Sequence, residues 1–238
     1  METLITFELI VLLSSLIQGI TGFGSALVAM PLFTFIFDIK TVAPLVALMT
    51  ISVNLFLFVK LKKHYRHQKL IPLLIGAVPG ILTGIFFLKY APEYLLRIIM
   101  AIVLLSYSLY ALTKPSIKIS FPPNFSVLVG FCSGNLGGAF NMNGPPVLLW
   151  AAIEKWDKNE FRSILQAYFG ISGLIVVTFH AISGLTTTTV LKYFLFAIPA
   201  TFFGISIGNY FAQRIPQLRF QQMVCGLLIL LSILLIIP

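Results

Sequence analysis

Charged positions in this chain are too sparse to mark out wet and dry faces. Cutting it at every Lys, Arg, Asp and Glu leaves eight long uncharged stretches, at 9–37, 41–59, 70–88, 98–113, 119–153, 163–191, 193–213 and 220–238. A membrane-spanning helix needs about 20 apolar residues. The pattern predicts an all-α polytopic membrane protein in which nearly every residue belongs to a span or a short connection. Two stretches do not fit a single span. As one helix, residues 4–37 would reach roughly 50 Å against a hydrocarbon core of about 30 Å. Gly19, Gly22 and Gly24 interrupt this stretch, and Gly130, Gly134, Gly137, Gly138, Gly144, Pro145 and Pro146 interrupt 124–153 more densely. Each is either a full crossing with an unwound centre or a re-entrant hairpin of two short helices.

The chain repeats itself weakly at an offset of about 115–120 residues. Gly22-Phe23-Gly24 precedes Pro31 as Gly137-Gly138-Ala139 precedes Pro146, Asp38 matches Asp157, and Pro79 with Gly84 matches Pro199 with Gly204. Residues 1–112 and 124–238 thus read as two homologous halves, each a Gly-broken segment followed by three spans. The segment 113–123, with three prolines and two lysines, reads as the linker. Repeats of this kind build many transporters.

Charge separates the two topologies. The loop holding Lys60, Lys62, Lys63, Arg66 and Lys69 is taken as cytoplasmic by the positive-inside rule. Eight crossings then divide the sixteen Lys and Arg residues 8 to 8, whereas six crossings with two hairpins divide them 12 inside to 4 outside. The hairpin model is favoured. Three crossings per half is an odd number, so the halves are expected to be inverted repeats, with both termini outside.

Composition narrows the class. The 238 residues are 58% hydrophobic and 10% charged, against about 25% charged in soluble domains. A water-soluble enzyme and a nucleic-acid-binding domain are disfavoured on that ground, and a disordered chain is excluded. The net charge of +9 then records topology and contact with anionic membrane lipids. Met1-Glu2-Thr3 lacks the basic region of a cleavable signal, so the first apolar stretch should be retained. Cys132 and Cys225 lie in apolar stretches and indicate no disulfide framework. The expected location is the cell (plasma) membrane.

The seven acids, Glu2, Glu8, Asp38, Glu93, Glu154, Asp157 and Glu160, fall at stretch ends or in connections. Cation sites and proton relays in membranes usually rest on carboxylates, so a cation pump is disfavoured. No HExxH, GxSxG or Walker pattern occurs, and neither a cofactor nor a metal is expected. The polar groups left inside are neutral: Gln18, Thr21 and Ser25 at the first break, and Ser133, Asn135, Asn141 and Asn143 at the second. Asn54 lies in the second span; Arg162 and Gln166 open the span after the second break. Amides, hydroxyls and the free N–H groups of broken helices suit a dehydrated small anion. Two breaks facing each other would form a neutral-to-positive cradle, and Arg162 would add one full charge with a planar fork. Phe23, between two glycines, is placed to gate or touch substrate. Gly76, Gly80, Gly84, Gly204 and Gly208 read as helix-packing positions. His180 reads as a satisfied interior or interfacial histidine, and Trp150, Trp156 and Tyr90 as interfacial belt residues.

The run Gln18-Gly19-Ile20-Thr21-Gly22-Phe23-Gly24-Ser25-Ala26-Leu27-Val28-Ala29-Met30-Pro31 resembles the N-terminal motif of the sulfite exporter TauE/SafE family. The basic loop two spans later and the run ending Asn143-Gly144-Pro145-Pro146 resemble the same family. The resemblance covers the whole chain. It implies a transporter of sulfur-containing anions such as sulfite and organosulfonates. Where many members carry Gly and Thr, this chain has Asn141-Met142-Asn143.

The expected function is therefore secondary transport of a small sulfur anion, not catalysis. Its site would be lined by Gln18, Thr21, Gly22, Phe23, Gly24, Ser25, Asn141, Asn143, Arg162 and Gln166. An anion channel, an enzyme on lipid-linked phosphate and a structural membrane subunit are the rivals. Coupling is left open between proton, sodium and movement down a gradient, and a homodimer is left open too.

Overall fold

The computed structural model describes residues 2–60, 67–113, 121–122, 124–212 and 214–236, without the side chains of 2, 55–60, 67, 158, 159, 162, 217 and 218. They form ten α-helices: α1 (Glu2–Thr21), α2 (Ser25–Phe33), α3 (Ile39–Lys60), α4 (His67–Tyr90), α5 (Glu93–Thr113), α6 (Phe125–Phe140), α7 (Gly144–Ile153), α8 (Lys158–Ile182), α9 (Thr188–Ala212) and α10 (Gln217–Ile236). Six are long and apolar enough to cross a membrane: α1, α4, α5, α8, α9 and α10. The expected set had α3 in place of α1; the described apolar part of α3, Ile39–Asn54, is shorter. The chain is a multi-pass membrane protein.

Both broken stretches are hairpins. Phe7, near the start of α1, stacks on Phe33, at the end of α2, with ring centroids 5.2 Å apart. A continuous helix would separate these residues by about 39 Å, so the chain must reverse between them. Likewise Phe125, at the start of α6, lies 5.8 Å from Trp150 in α7. Contacts between connections agree. Lys69 pairs with Glu160 at 3.0 Å, Lys89 donates to the Ser183 carbonyl at 2.8 Å, and Phe37 packs on Tyr193 at 4.7 Å. Eight crossings would put each of these pairs on opposite sides of the bilayer; six crossings with two hairpins put each on one side.

The repeated aspartates do the same local job. Asp38 Oδ1 accepts the Thr41 N–H at 3.0 Å and so caps α3, and Asp157 Oδ1 accepts the Glu160 N–H at 2.9 Å and caps α8. Asp38 and Asp157 are 119 positions apart, as are Ser25 and Gly144, the first residues of α2 and α7. At the breaks, therefore, the sequence pairing of Gly22 with Gly137 is one helical turn out of step.

The helices pack into two compact units. One comprises residues 1–49, 91–115 and 187–238, and α1 lies against α9 in it. A Cβ on Gly19 would sit 2.6 Å from the Ile205 carbonyl oxygen, and one on Gly208 2.8 Å from the Gly19 Cα. The other comprises 50–90 and 116–186, where α4 lies along α6. There Gly130, Gly134 and Gly138 meet Leu73, Ala77 and Ile81 in turn. Equal four-residue steps on both helices mean that they run parallel. A Cβ on Gly134 would lie 2.8 Å from the Ala77 Cα, and one on Gly80 3.0 Å from the Asn135 N. Such closeness lets backbones meet without intervening side chains, the usual route to dispersion contact in lipid. The packing role expected of Gly76, Gly80, Gly84, Gly204 and Gly208 holds. The break expected at Gly130, Gly134, Gly137 and Gly138 does not: these residues are helical within α6, and three of them are packing positions. Trp150 and Trp156 are buried, not belt residues; Trp150 fills space beside Phe121 and Phe125.

Candidate functional site

The first break is Gly22–Gly24, between α1 and α2. Gly22 has φ 82° and Gly24 φ 96°, conformations that cost other residues strain. A Cβ at Gly22 would meet nothing within 4 Å, so backbone conformation alone calls for glycine there. The break is held locally. The Gly22 N–H donates to the Gln18 carbonyl at 2.7 Å, the Phe23 N–H to Thr21 Oγ1 at 3.3 Å, and Thr21 Oγ1 lies against the carbonyls of Ile17 and Phe23. Gln18 and Ser25 are buried, while Thr21 and Phe23 are half-buried. The N-cap of α2 is Gly24, which has no side chain to cap the helix. At its other end, Arg97 donates to the Thr34 carbonyl at 2.9 Å and pairs with Glu93 at 2.7 Å. A cation there suits the negative end of α2.

The second break is Asn141–Asn143, between α6 and α7. Asn141 takes the left-handed conformation, φ 56°, which asparagine tolerates better than other non-glycine residues. Its N–H returns to the Gly137 carbonyl at 2.9 Å, and the Met142 N–H to Leu136 at 3.2 Å. Asn143 is braced from α8. Its Nδ2 donates to Ser172 Oγ at 3.0 Å, and Ser172 Oγ donates to the Tyr168 carbonyl at 2.6 Å. The Tyr168 hydroxyl donates to Ser133 Oγ at 2.8 Å, which donates to the Asn143 carbonyl at 2.5 Å. The ring of bonds thus closes through α6, the break and α8. Ser133, Tyr168 and Ser172 are buried. Ser172 is the tenth residue of the span Ser163–Ile182, which sets the brace at mid-span.

Asn143, at the N-cap of α7, makes no side-chain cap bond, and Pro145 and Pro146 stand in the first turn. Two of the N–H groups that a helix start would offer are thereby missing. Asn135 is not at the break: its Nδ2 donates to Thr83 Oγ1 at 2.9 Å, tying α6 to α4. Gln166 is buried on α8. Arg162 is in the first turns of α8, with its side chain outside the described residues.

The structure thus brings Gln18, Thr21, Gly22, Phe23, Gly24 and Ser25 to one break, in the first unit. It brings Asn141 and Asn143 to another in the second unit, whose α8 also carries Arg162 and Gln166. Sequence reasoning missed Tyr168 and Ser172. Their signal was spacing: Tyr168 and Ser172 stand four residues apart on one face of α8.

The chain is 23% identical over 227 residues to a probable sulfite/organosulfonate exporter TauE of Cupriavidus necator, covering 93% of this chain and 89% of that one. No solved structure matches. The family model for the sulfite exporter TauE/SafE family matches residues 8–235, and the chain belongs to that family.

Proposed function

We propose that this protein exports a small sulfur-containing anion, such as sulfite or an organosulfonate, across the cell membrane. The observation that carries the reading is the pair of left-handed breaks, each opening into a helix whose own N-cap residue makes no side-chain cap bond. Backbone N–H groups at such an end attract anions. Gln18, Thr21 and Ser25 at the first break, and Asn141, Asn143, Arg162 and Gln166 near the second, supply further donors, and Phe23 is placed to touch or gate the anion. Gly22 and Gly24 let the anion approach the backbone. Each half, 1–112 and 124–238, contributes one hairpin and three crossings, which makes them inverted repeats joined by 113–123.

The family membership supports the transport reading, and the name of the Cupriavidus relative supports the substrate class. The test is a thermal-shift screen of purified protein against sulfite, ethanesulfonate, sulfate and acetate. A ligand at 100 times its Kd stabilises a protein by about 2.7 kcal/mol. Stabilisation by sulfite or ethanesulfonate above that by acetate is expected; equal, negligible shifts would sink the reading.

A further inference from the structure

His180 is fully buried in the span Ser163–Ile182. Its Nε2 lies 2.9 Å from the Gly138 carbonyl oxygen. A carbonyl can only accept, so Nε2 carries the hydrogen and Nδ1 is an acceptor. That Nδ1 is buried and has no hydrogen-bond partner among the described residues. A polar atom abandoned in this way inside a protein calls for a reason, and ionisable groups within spans are commonly functional.

The surroundings supply one. The partial negative charge at a helix C-terminus suits a cation, and His180 stands at two such ends. It is in the last turn of α8, and the carbonyl it holds is in the last turn of α6. Few titratable groups face it. Between Phe125 and Phe140, α6 carries only Cys132, which is exposed. Residues 144–153 of α7 and 50–54 of α3 carry none. At this end α4 brings Lys89, whose Nζ is bound to the Ser183 carbonyl. On α8 itself, Tyr168 lies three turns back, bound to Ser133.

We propose that His180 is a proton site of this transporter, and that a proton taken up at Nδ1 moves with the anion. The proton binds the Nδ1 lone pair from water on one side and leaves to water on the other, with no change of oxidation state. Protonation turns the ring into a double donor while Nε2–H stays on Gly138. Gly138 is three residues before Asn141, so the charge acts on the turn that sets the second break.

This inference rests on the anion-transport reading, and ethanesulfonate separates the two. Its parent acid is fully ionised near neutral pH, so any proton moved with it is the protein's. In sealed proteoliposomes with the potential clamped, a trapped pH dye should report proton movement with ethanesulfonate. A one-unit pH step should change its steady-state accumulation about tenfold, the ratio for one proton per anion. The variant His180→Gln keeps an N–H for Gly138 but cannot titrate; it should bind ethanesulfonate and ignore the pH step. Wild-type transport blind to the step, or a His180→Gln protein that responds as wild type does, overturns the proposal. Should the variant fail to fold, calorimetry of the wild type in buffers of different ionisation heat decides. Binding without proton uptake or release near neutral pH overturns it. A wild-type protein that neither binds nor moves ethanesulfonate or sulfite overturns the anion reading and this inference with it.

Discussion

The two breaks solve one problem by different means. The first is made of backbone: Gly22 and Gly24 adopt positive φ, and Thr21 Oγ1 accepts the Phe23 N–H across the turn. The second is made of side chains: Asn141 replaces glycine at the left-handed position, and Asn143, Ser133, Tyr168 and Ser172 tie it to α8. Their donor sets differ accordingly. At α2, Ser25 and Ala26 have N–H groups to offer, whereas at α7 two prolines remove theirs. A glycine turn with open N–H groups can shape itself around a ligand; a braced turn is pre-organised and leaves recognition to amides and to charge. The comparison says where each kind of substitution should hurt.

The largest effect should come at Gly24. Valine at φ 96° is a genuine outlier, and the strain should cost about 3 kcal/mol. The loss is conformational, because the nearest atom to an added Cβ is Leu27 Cδ1 at 3.9 Å. Gly24→Asn should therefore recover much of the stability and uptake that Gly24→Val loses, since asparagine does this work at 141. Melting temperature and ethanesulfonate uptake check both. Equal damage from the two variants would mean that space, not φ, demands glycine at the first break.

Next in size is Asn143→Leu. It removes the amide that Ser172 accepts from and leaves buried polar atoms short of a partner, at a cost of about 2 kcal/mol. Tyr168→Phe should cost about 1 kcal/mol. Combined with Asn143→Ala, it should be non-additive by at least 0.5 kcal/mol, the mark of one network. Combined with Gly24→Ala it should be additive, because Gly24 belongs to the other compact unit. Additivity in the first pair would dissolve the contrast between a braced turn and a free one.

These contrasts were unevenly legible in the sequence. Uncharged runs located the spans, and basic residues sorted by side preferred two hairpins, the second of which the pairing of Lys69 with Glu160 bears out. Glycine clusters located both broken stretches and the first break at Gly22–Gly24, but not the place of the second. Gly130, Gly134 and Gly138 meet α4 backbone, and in a bilayer glycine serves close packing as readily as it serves turns. No local pattern separates the two uses, since the partner helix is some 55 residues away in the chain. The brace escaped notice for a related reason: tyrosine and serine in an apolar helix look like ordinary packing residues until Asn143 is brought beside them.

The smallest effect should be the most telling. Asn141 has φ 56°, a conformation that glycine reaches at no steric cost. Asn141→Gly should thus leave stability within about 0.5 kcal/mol, with strain relieved in the fold offset by a floppier unfolded chain. If the Asn141 side chain only tolerates the turn, uptake should also stay near wild type. If it contacts the anion, uptake at low ethanesulfonate should fall several-fold while the melting temperature holds. Any drop in melting temperature beyond a few degrees would mean that the asparagine side chain braces the turn, and the second break would then owe its shape to both of its asparagines. Melting curves and concentration-dependent uptake on this one variant thus separate conformation, recognition and bracing in a stretch where the family resemblance leads one to expect more Gly and Thr.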